Sequence, residues 1–283
     1  MNYQKTIAEP VSLEGTGLHT GNSCKITFRP APPNSGIRFF RTDLPGRPCI
    51  PAKLLFVVDT ARGTTIGING TRIHTIEHVL AACSGLGIDN VDIEITNNEP
   101  PATDGSALLF LRALLTAGMK EQPDFPKRAL RLSEPVVYES GGIHYTAEPA
   151  ASFQLQVTIL HDHPILKKQS LRLEINPETF FREIAAARTF CFEHEIEFLR
   201  KQGLARGGSL DNAVVIGRDR IHTNPAGLRF PDEFVRHKLL DLVGDLYLLG
   251  RGIQAKIRAV RCGHTHNIQF AKKLNEEAKK CRR

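Results

Sequence analysis

The chain has 283 residues, 41% hydrophobic and 24% charged, the composition of an ordinary globular protein with a real core. It has no apolar run near the about 20 residues that span a bilayer, no secretion signal in MNYQKTIAEP, and six scattered cysteines (Cys24, Cys49, Cys83, Cys191, Cys262, Cys281) without a CxxC pair. These features exclude a zinc ribbon and a dense disulfide framework, and predict a cytoplasmic protein with free thiols. The net charge of +7 suits a phosphorylated ligand or an anionic surface, but without Trp or any RNP, KH, zinc-finger or basic-zipper pattern no nucleic acid is expected. The last thirteen residues hold six basic and two acidic side chains and read as a solubilising terminal helix.

Glu14–Asn22, EGTGLHTGN, reads as a Gly-rich turn without phosphate-loop spacing. Cys24, Ile26 and Phe28 alternate with polar residues as in a half-buried strand, and strands are also expected over Gly36–Arg41 and Thr64–Ile68. Asn69-Gly70 predicts a hairpin, because both residues tolerate the positive φ of a type I′ turn. A helix starts near Thr75 and ends at Gly85–Gly87, and a strand over Val91, Ile93 and Ile95 follows. After the loop NNEPPATDGS comes a helix over Ala107–Thr116.

The polar, Pro-containing stretch Ala117–Lys127 is expected to separate two lobes, 1–122 and 128–283. In the second, strands are predicted over Leu130–Tyr138, Ile143–Thr146, Phe153–Leu160 and Leu171–Ile175, with Asn176-Pro177 opening a helix. Thr189–Ile216 combines a short helix, a Gly-rich turn and a strand, and reads as an insertion. Phe230–Gly250 reads as one helix with Asp232 as cap and Gly250 as its end, followed by a strand over Ile253–Arg261 and a helix from about Asn267.

The halves repeat a plan. His78 and His237 each sit early on a helix that is followed by a strand, a turn and another helix. Asp104 lies 26 residues after His78, and His264 lies 27 after His237. Two such lobes packed face to face bring both helices to one cleft.

Alone, the stripe His237, Asp241, Asp245 at i, i+4, i+8 reads as the solvated face of an amphipathic helix. Combined with HTIEH at His74–His78, it offers two imidazoles and a carboxylate to a tetrahedral zinc, with one position left open. Glu77 can then accept a proton from water, Asp245 can support His264 as an acid, and Thr189 can donate to an oxyanion. Pairing of His74 with His78, and the segments HEIEF (His194–Phe198), HDHP (His161–Pro164) and HTH (His264–His266), remain competing metal sites at this point.

The pieces GTGLHTG, TIEHVLAACSGLGIDN, DGSA, AARTF, GLARGGSLDN, FVRHKLLDLVGDLYLLG and CGH, in this order, are similar to those of the zinc-dependent UDP-3-O-acyl-N-acetylglucosamine deacetylases of lipid A synthesis, the LpxC family. The resemblance implies an α+β fold of two similar β-α-α-β lobes packed as an α/β sandwich, each lobe with an inserted segment. It implies one Zn2+ per chain on His78, His237 and Asp241, with Glu77 as base, His264 as acid, Asp245 in support and Thr189 on the amide carbonyl. Lys238 and Phe190 would contact the sugar. Ile196, Leu210 and Val215 would line a passage for the acyl chain, Gly208 and Ser209 its mouth, and Leu18 and His19 the adjoining cleft. Three places depart from the family pattern: Leu160 and His161 stand where an acidic-aromatic pair is usual and nucleotide contacts would lie, Arg261 replaces a lysine that would meet the diphosphate, and the usual PIxDGS loop reads PATDGS. A UDP-linked acylated amino sugar is the implied substrate, with a monomeric enzyme and peripheral contact with an anionic membrane face expected. A zinc hydrolase for another acylated amine and a basic binding protein are the alternatives.

Overall fold

A computed structural model of the protein describes residues 2–280. The first half runs β1 (Tyr3–Ile7), β2 (Val11–Thr16), β3 (Ser23–Pro30), β4 (Ile37–Arg41), β5 (Cys49–Pro51), β6 (Val57–Asp59), β7 (Thr65–Ile68), β8 (Thr71–Ile73), α1 (Glu77–Leu86), β9 (Val91–Ile95), α2 (Leu108–Thr116) and β10 (Met119–Pro126). The second runs β11 (Ala129–Arg131), β12 (Val136–Ser140), β13 (Ile143–Pro149), β14 (Phe153–Leu160), β15 (Lys168–Glu174) and α3 (Pro177–Thr179), which continues as a π-helical turn over Phe180–Ile184. It ends with β16 (Phe190–Phe192), α4 (Ile196–Lys201), β17 (Val214–Ile216), β18 (Ile221–His222), α5 (Glu233–Tyr247), β19 (Gly252–Val260) and α6 (His264–Lys280).

The repeat extends to strand order. One sheet is β2-β3-β9-β4-β5 and the other β12-β13-β19-β14-β15, with β11 added beside β19. In each, the strand that follows the His-bearing helix lies centrally, antiparallel to one neighbour and parallel to the other. Inward residues alternate as the pattern predicts: Cys24, Ile26 and Phe28 on β3, and Leu155, Val157 and Ile159 on β14 are buried. Helix α5 lies on β14 and β15, α2 on β2 and α6 on β12, while α1 packs on α5. The helices of the two halves therefore meet between the sheets, giving the expected α+β sandwich. Each half adds a three-stranded insertion, β6-β7-β8 and β16-β17-β18.

Several boundaries differ from the expectations. Glu14–Thr16 belongs to β2, so the Gly-rich turn starts only at Gly17. Ala117–Lys127 is mostly β10, paired antiparallel with β1. Its polar pattern reflects exposure along that strand, where only Gln122 is buried. Leu130–Tyr138 divides into β11 and β12, which pair with different strands. The second insertion reaches His222, because β18 closes its sheet. Helix α5 ends at Tyr247, and Gly250 (φ +68°) closes the turn beyond it. Asp232 does not cap α5 through its side chain; its carboxylate takes Arg236 instead.

Other expectations hold. Asn69 and Gly70 both have positive φ between β7 and β8, and Asn176 caps α3. Five cysteines are free thiols, and Cys281 lies outside the described residues.

Candidate active site: a buried His–His–Asp cluster

Helices α1 and α5 are buried almost all round, α1 from Glu77 to Leu86 with only Ser84 partly exposed. Their close approach depends on Gly244: a Cβ there would lie 2.0 Å from the Glu77 carbonyl oxygen. Packed this tightly, the helices carry Glu77, His78, His237, Asp241 and Asp245 into the interior. Buried ionisable groups are costly unless paired or bound to a metal, so the polar stripe of α5 is not a solvated face.

His78, His237 and Asp241 each turn one donor atom toward a common point, all within 4.8 Å of one another. Asp241 Oδ1 lies 3.3 Å from His237 Nε2 and 3.6 Å from His78 Nε2, and it is buried without a hydrogen-bond partner. His237 Nδ1–H donates to the Ala187 carbonyl at 3.1 Å, which turns Nε2 inward. Lys238 occupies the other Asp241 oxygen at 2.8 Å. Two imidazole nitrogens and an orphaned carboxylate oxygen are a donor set that suits zinc. His74 is not part of this set, since its Nδ1 meets Thr65 Oγ1. Among the described residues no other His, Cys, Asp or Glu group meets the same geometric test, so HDHP, HEIEF and HTH bring no cluster together. His266 instead meets Tyr138 Oη.

Two titratable groups flank the cluster. Glu77 Oε2 accepts the Thr64 N–H at 2.9 Å, leaving Oε1 3.9 Å from His264 Nε2. Burial raises the Glu77 carboxyl above its ordinary range against the pull of His264 and His78. His264 Nδ1–H donates to Asp245 Oδ2 at 2.9 Å, and its Nε2 lies 3.8 Å from Asp241 Oδ2. Burial opposes charge on His264, but Asp245, Asp241 and Glu77 outweigh it and raise the imidazolium to about 9. Asp245 is itself fixed by Asn267 Nδ2 at 2.8 Å and by the Thr64 hydroxyl.

Thr189 lies next in sequence to Phe190, which packs on His237, and its N–H is committed to Gly105 O at 2.8 Å. That leaves its hydroxyl as the group it can offer. Gly105 has φ +78°, and a Cβ there would lie 1.8 Å from Asn212 O, so position 105 of the DGS turn admits no side chain. Phe190 packs on Phe234 and His237, and Lys238 Nζ lies 5.4 Å from its ring centre. Lys238 is therefore tied to Asp241 and Phe190 rather than extended into solvent.

From Thr189 and Phe190 a cavity of about 270 Å³ runs under the second insertion. Leu18, His19, Ile196, Gly208, Ser209, Leu210 and Val215 all line it, and its walls are mainly apolar. Glu99 sets its first-half wall. This fully buried carboxylate accepts the His19 and Thr20 N–H groups and the Thr20 and Thr75 hydroxyls. A larger cleft, about 580 Å³, opens at the opposite ends of α1 and α5 and contains none of these groups.

His161 packs on Phe192, with ring centres 5.2 Å apart, in an aromatic group that also holds His163 and His194. Burial lowers the His161 pKa, and Lys238 lowers it further. Arg261 is exposed, with its guanidinium near Gly142.

The sequence reading missed Thr64, Ala187, Arg188, Glu233, Glu99 and Asn267. Thr64 N–H and Ala187 O act through the backbone and leave no side-chain signal. Asn267 was open to inference, being one turn beyond His264, had α6 been started at His264.

Comparison with known proteins agrees with this geometry. The family pattern described as LpxC, UDP-3-O-acyl N-acetylglycosamine deacetylase, matches residues 4–276. A UDP-3-O-acyl-N-acetylglucosamine deacetylase of Myxococcus xanthus is 44% identical over 271 residues, covering 96% of this chain and 86% of that protein. The protein of the same description from Chromobacterium violaceum is 43% identical over 279 residues, 98% of this chain and 91% of the relative. That from Thermodesulfovibrio yellowstonii is 44% identical over 278 residues, 98% and 93%. With the match running almost end to end, the chain belongs to the LpxC family of UDP-3-O-acyl N-acetylglycosamine deacetylases.

Proposed function

We propose that this chain hydrolyses the N-acetyl group of UDP-3-O-acyl-N-acetylglucosamine to UDP-3-O-acyl-glucosamine and acetate, as a step of lipid A biosynthesis. The observation that carries this reading is the unpartnered Asp241 Oδ1 facing two imidazoles, with Glu77 and His264 alongside and an apolar cavity leading away. His78, His237 and Asp241 would hold one Zn2+. When bound, zinc supplies Lewis acidity, which polarises a carbonyl and lets water ionise near neutral pH.

The chain's own residues account for the rest. Glu77, with Oε2 anchored on Thr64, takes a proton from the attacking water at Oε1. The Thr189 hydroxyl donates to the carbonyl oxygen as it gains charge. His264, held protonated by its carboxylate neighbours, stabilises that charge and gives a proton to the departing amine. Asp245 orients His264 throughout. Lys238 and Phe190 meet the sugar beside the reacting amide. Arg261 and His161 meet the diphosphate and the uracil, where a guanidinium fork suits phosphate.

Apolar lining supports the cavity under the second insertion as the acyl passage, with Gly208 and Ser209 at its mouth. We divide the chain into lobes 1–122 and 128–283, and the repeated sheet order supports a two-lobe reading. No helix among the described residues is long and apolar enough to cross a membrane. We assign the enzyme to the cytoplasm as a monomer, meeting an anionic membrane face through its net positive charge. Product mass spectrometry on substrates with and without the 3-O-acyl chain tests the reading. Acetate release is expected to be much faster from the acylated sugar. Equal rates would contradict the passage, and release from unrelated acylated amines at the same rate would contradict the substrate.

A further inference from the structure

We propose that the buried Arg188–Glu233 pair is a positioning device for the reaction centre, fixing Ala187 against His237 and Thr189 against the substrate carbonyl. This rests on the reading of His237 as a metal ligand and of Thr189 as a donor. Arg188 and Glu233 side chains are 1% and 0% exposed. Arg188 Nε meets Glu233 Oε1 at 2.8 Å, and its Nη2 meets Oε2 at 3.1 Å, a two-pronged contact. The Arg188 backbone N–H also donates to Oε1, at 3.0 Å. Glu233 Oε2 further accepts the Arg229 N–H at 2.7 Å, and Arg188 Nη2 reaches Gly227 O at 2.6 Å.

Burying two full charges is costly even when they are paired, and apolar replacements are often as stable. Stability alone therefore gives a weak reason for such a pair. Its location gives a better one. Glu233 lies one helical turn before His237 on α5, and Arg188 lies between Ala187 and Thr189 in sequence. The Ala187 carbonyl receives His237 Nδ1–H, and the Thr189 N–H is held by Gly105. Arg229 extends the network to the first half through Asp104 Oδ2 at 2.8 Å, and also donates to Ala186 O at 2.9 Å. The 186–189 segment is thus gripped by α5, the Gly227 loop and the DGS turn. Release of the grip frees the His237 ring from its carbonyl and lets the Thr189 hydroxyl drift. Outer hydrogen bonds of this kind set ligand orientation, and a displacement of about 1 Å at a reacting group can cost about 100-fold in rate.

The test uses Arg188→Lys, which keeps the charge but loses the fork, and Arg188→Met/Glu233→Gln, which leaves no charge unpaired. Thermal melting, zinc affinity by chelator competition, and kcat and KM are measured for each beside the parent enzyme. Expected are cooperative melting, zinc held about 10-fold more weakly, and kcat lowered about 10- to 100-fold with KM little changed. Folded variants that match the parent in zinc affinity and kcat would overturn the proposal. Loss of cooperative melting in both would overturn it too, since the pair would then be a condition of folding. A parent that binds no zinc would instead contradict the reading of the metal site.

Discussion

Glu77→Ala is expected to keep its zinc and to lose about 100- to 10,000-fold in turnover, the span usual for removal of a general base. The side chain lies outside the His–His–Asp cluster, with Oε2 on the Thr64 N–H and Oε1 toward His264. Its removal leaves the orphaned Asp241 oxygen and both imidazoles where they were. The proposed metal site therefore survives while the proposed proton acceptor is lost. Burial of Glu77 matters to this argument, because it raises the carboxyl toward the pH at which a base must both accept and return a proton. Metal content and kcat, measured on one preparation of the variant, check the expectation. Normal turnover would make Glu77 a structural carboxylate.

The second large effect is the opposite in kind. His237→Ala is expected to lose both metal and activity. His237 and Asp241 lie one turn apart on α5, and His78 arrives from α1. Without His237 only one imidazole and one carboxylate face the site. Two ligands on separate helices make a weak zinc site compared with three. Helix α5 would keep its packing, since Leu239, Leu240, Leu242, Val243 and Leu246 form its apolar face. Metal analysis after dialysis is the check, with circular dichroism to show the fold intact. A variant with one zinc per chain would exclude His237 as a ligand.

How far the sequence carried these conclusions depends on which atoms act. The two His-bearing helices were legible because each repeats one order of elements, and the sheets prove to share strand order as well. The alternation on β3 and β14 marked their inner faces directly. By contrast, the α5 stripe taken alone pointed to solvent. Polar residues at helical spacing look the same whether they face water or a second helix, and only the partner α1 decides between them. Contacts made by the backbone left no trace: the Ala187 carbonyl behind His237 and the Thr64 N–H on Glu77 depend on tertiary placement. In sequence Glu233 is no more than an acidic first-turn residue, the ordinary setting for a carboxylate at a helix N-terminus. Its buried partner Arg188 comes from a segment 45 residues away. Strand β10 was read as a polar boundary because it exposes nearly every side chain, so its pairing with β1 has no apolar signature.

On the proposed reading, His78, His237 and Asp241 hold a zinc on which deacetylation depends. Zinc content and acetate release from UDP-3-O-acyl-N-acetylglucosamine, followed together through chelation and re-addition, test it most directly. Expected are one zinc per chain, loss of acetate release as zinc is removed, and recovery when it is restored. Acetate release at the full rate from zinc-free protein would contradict it.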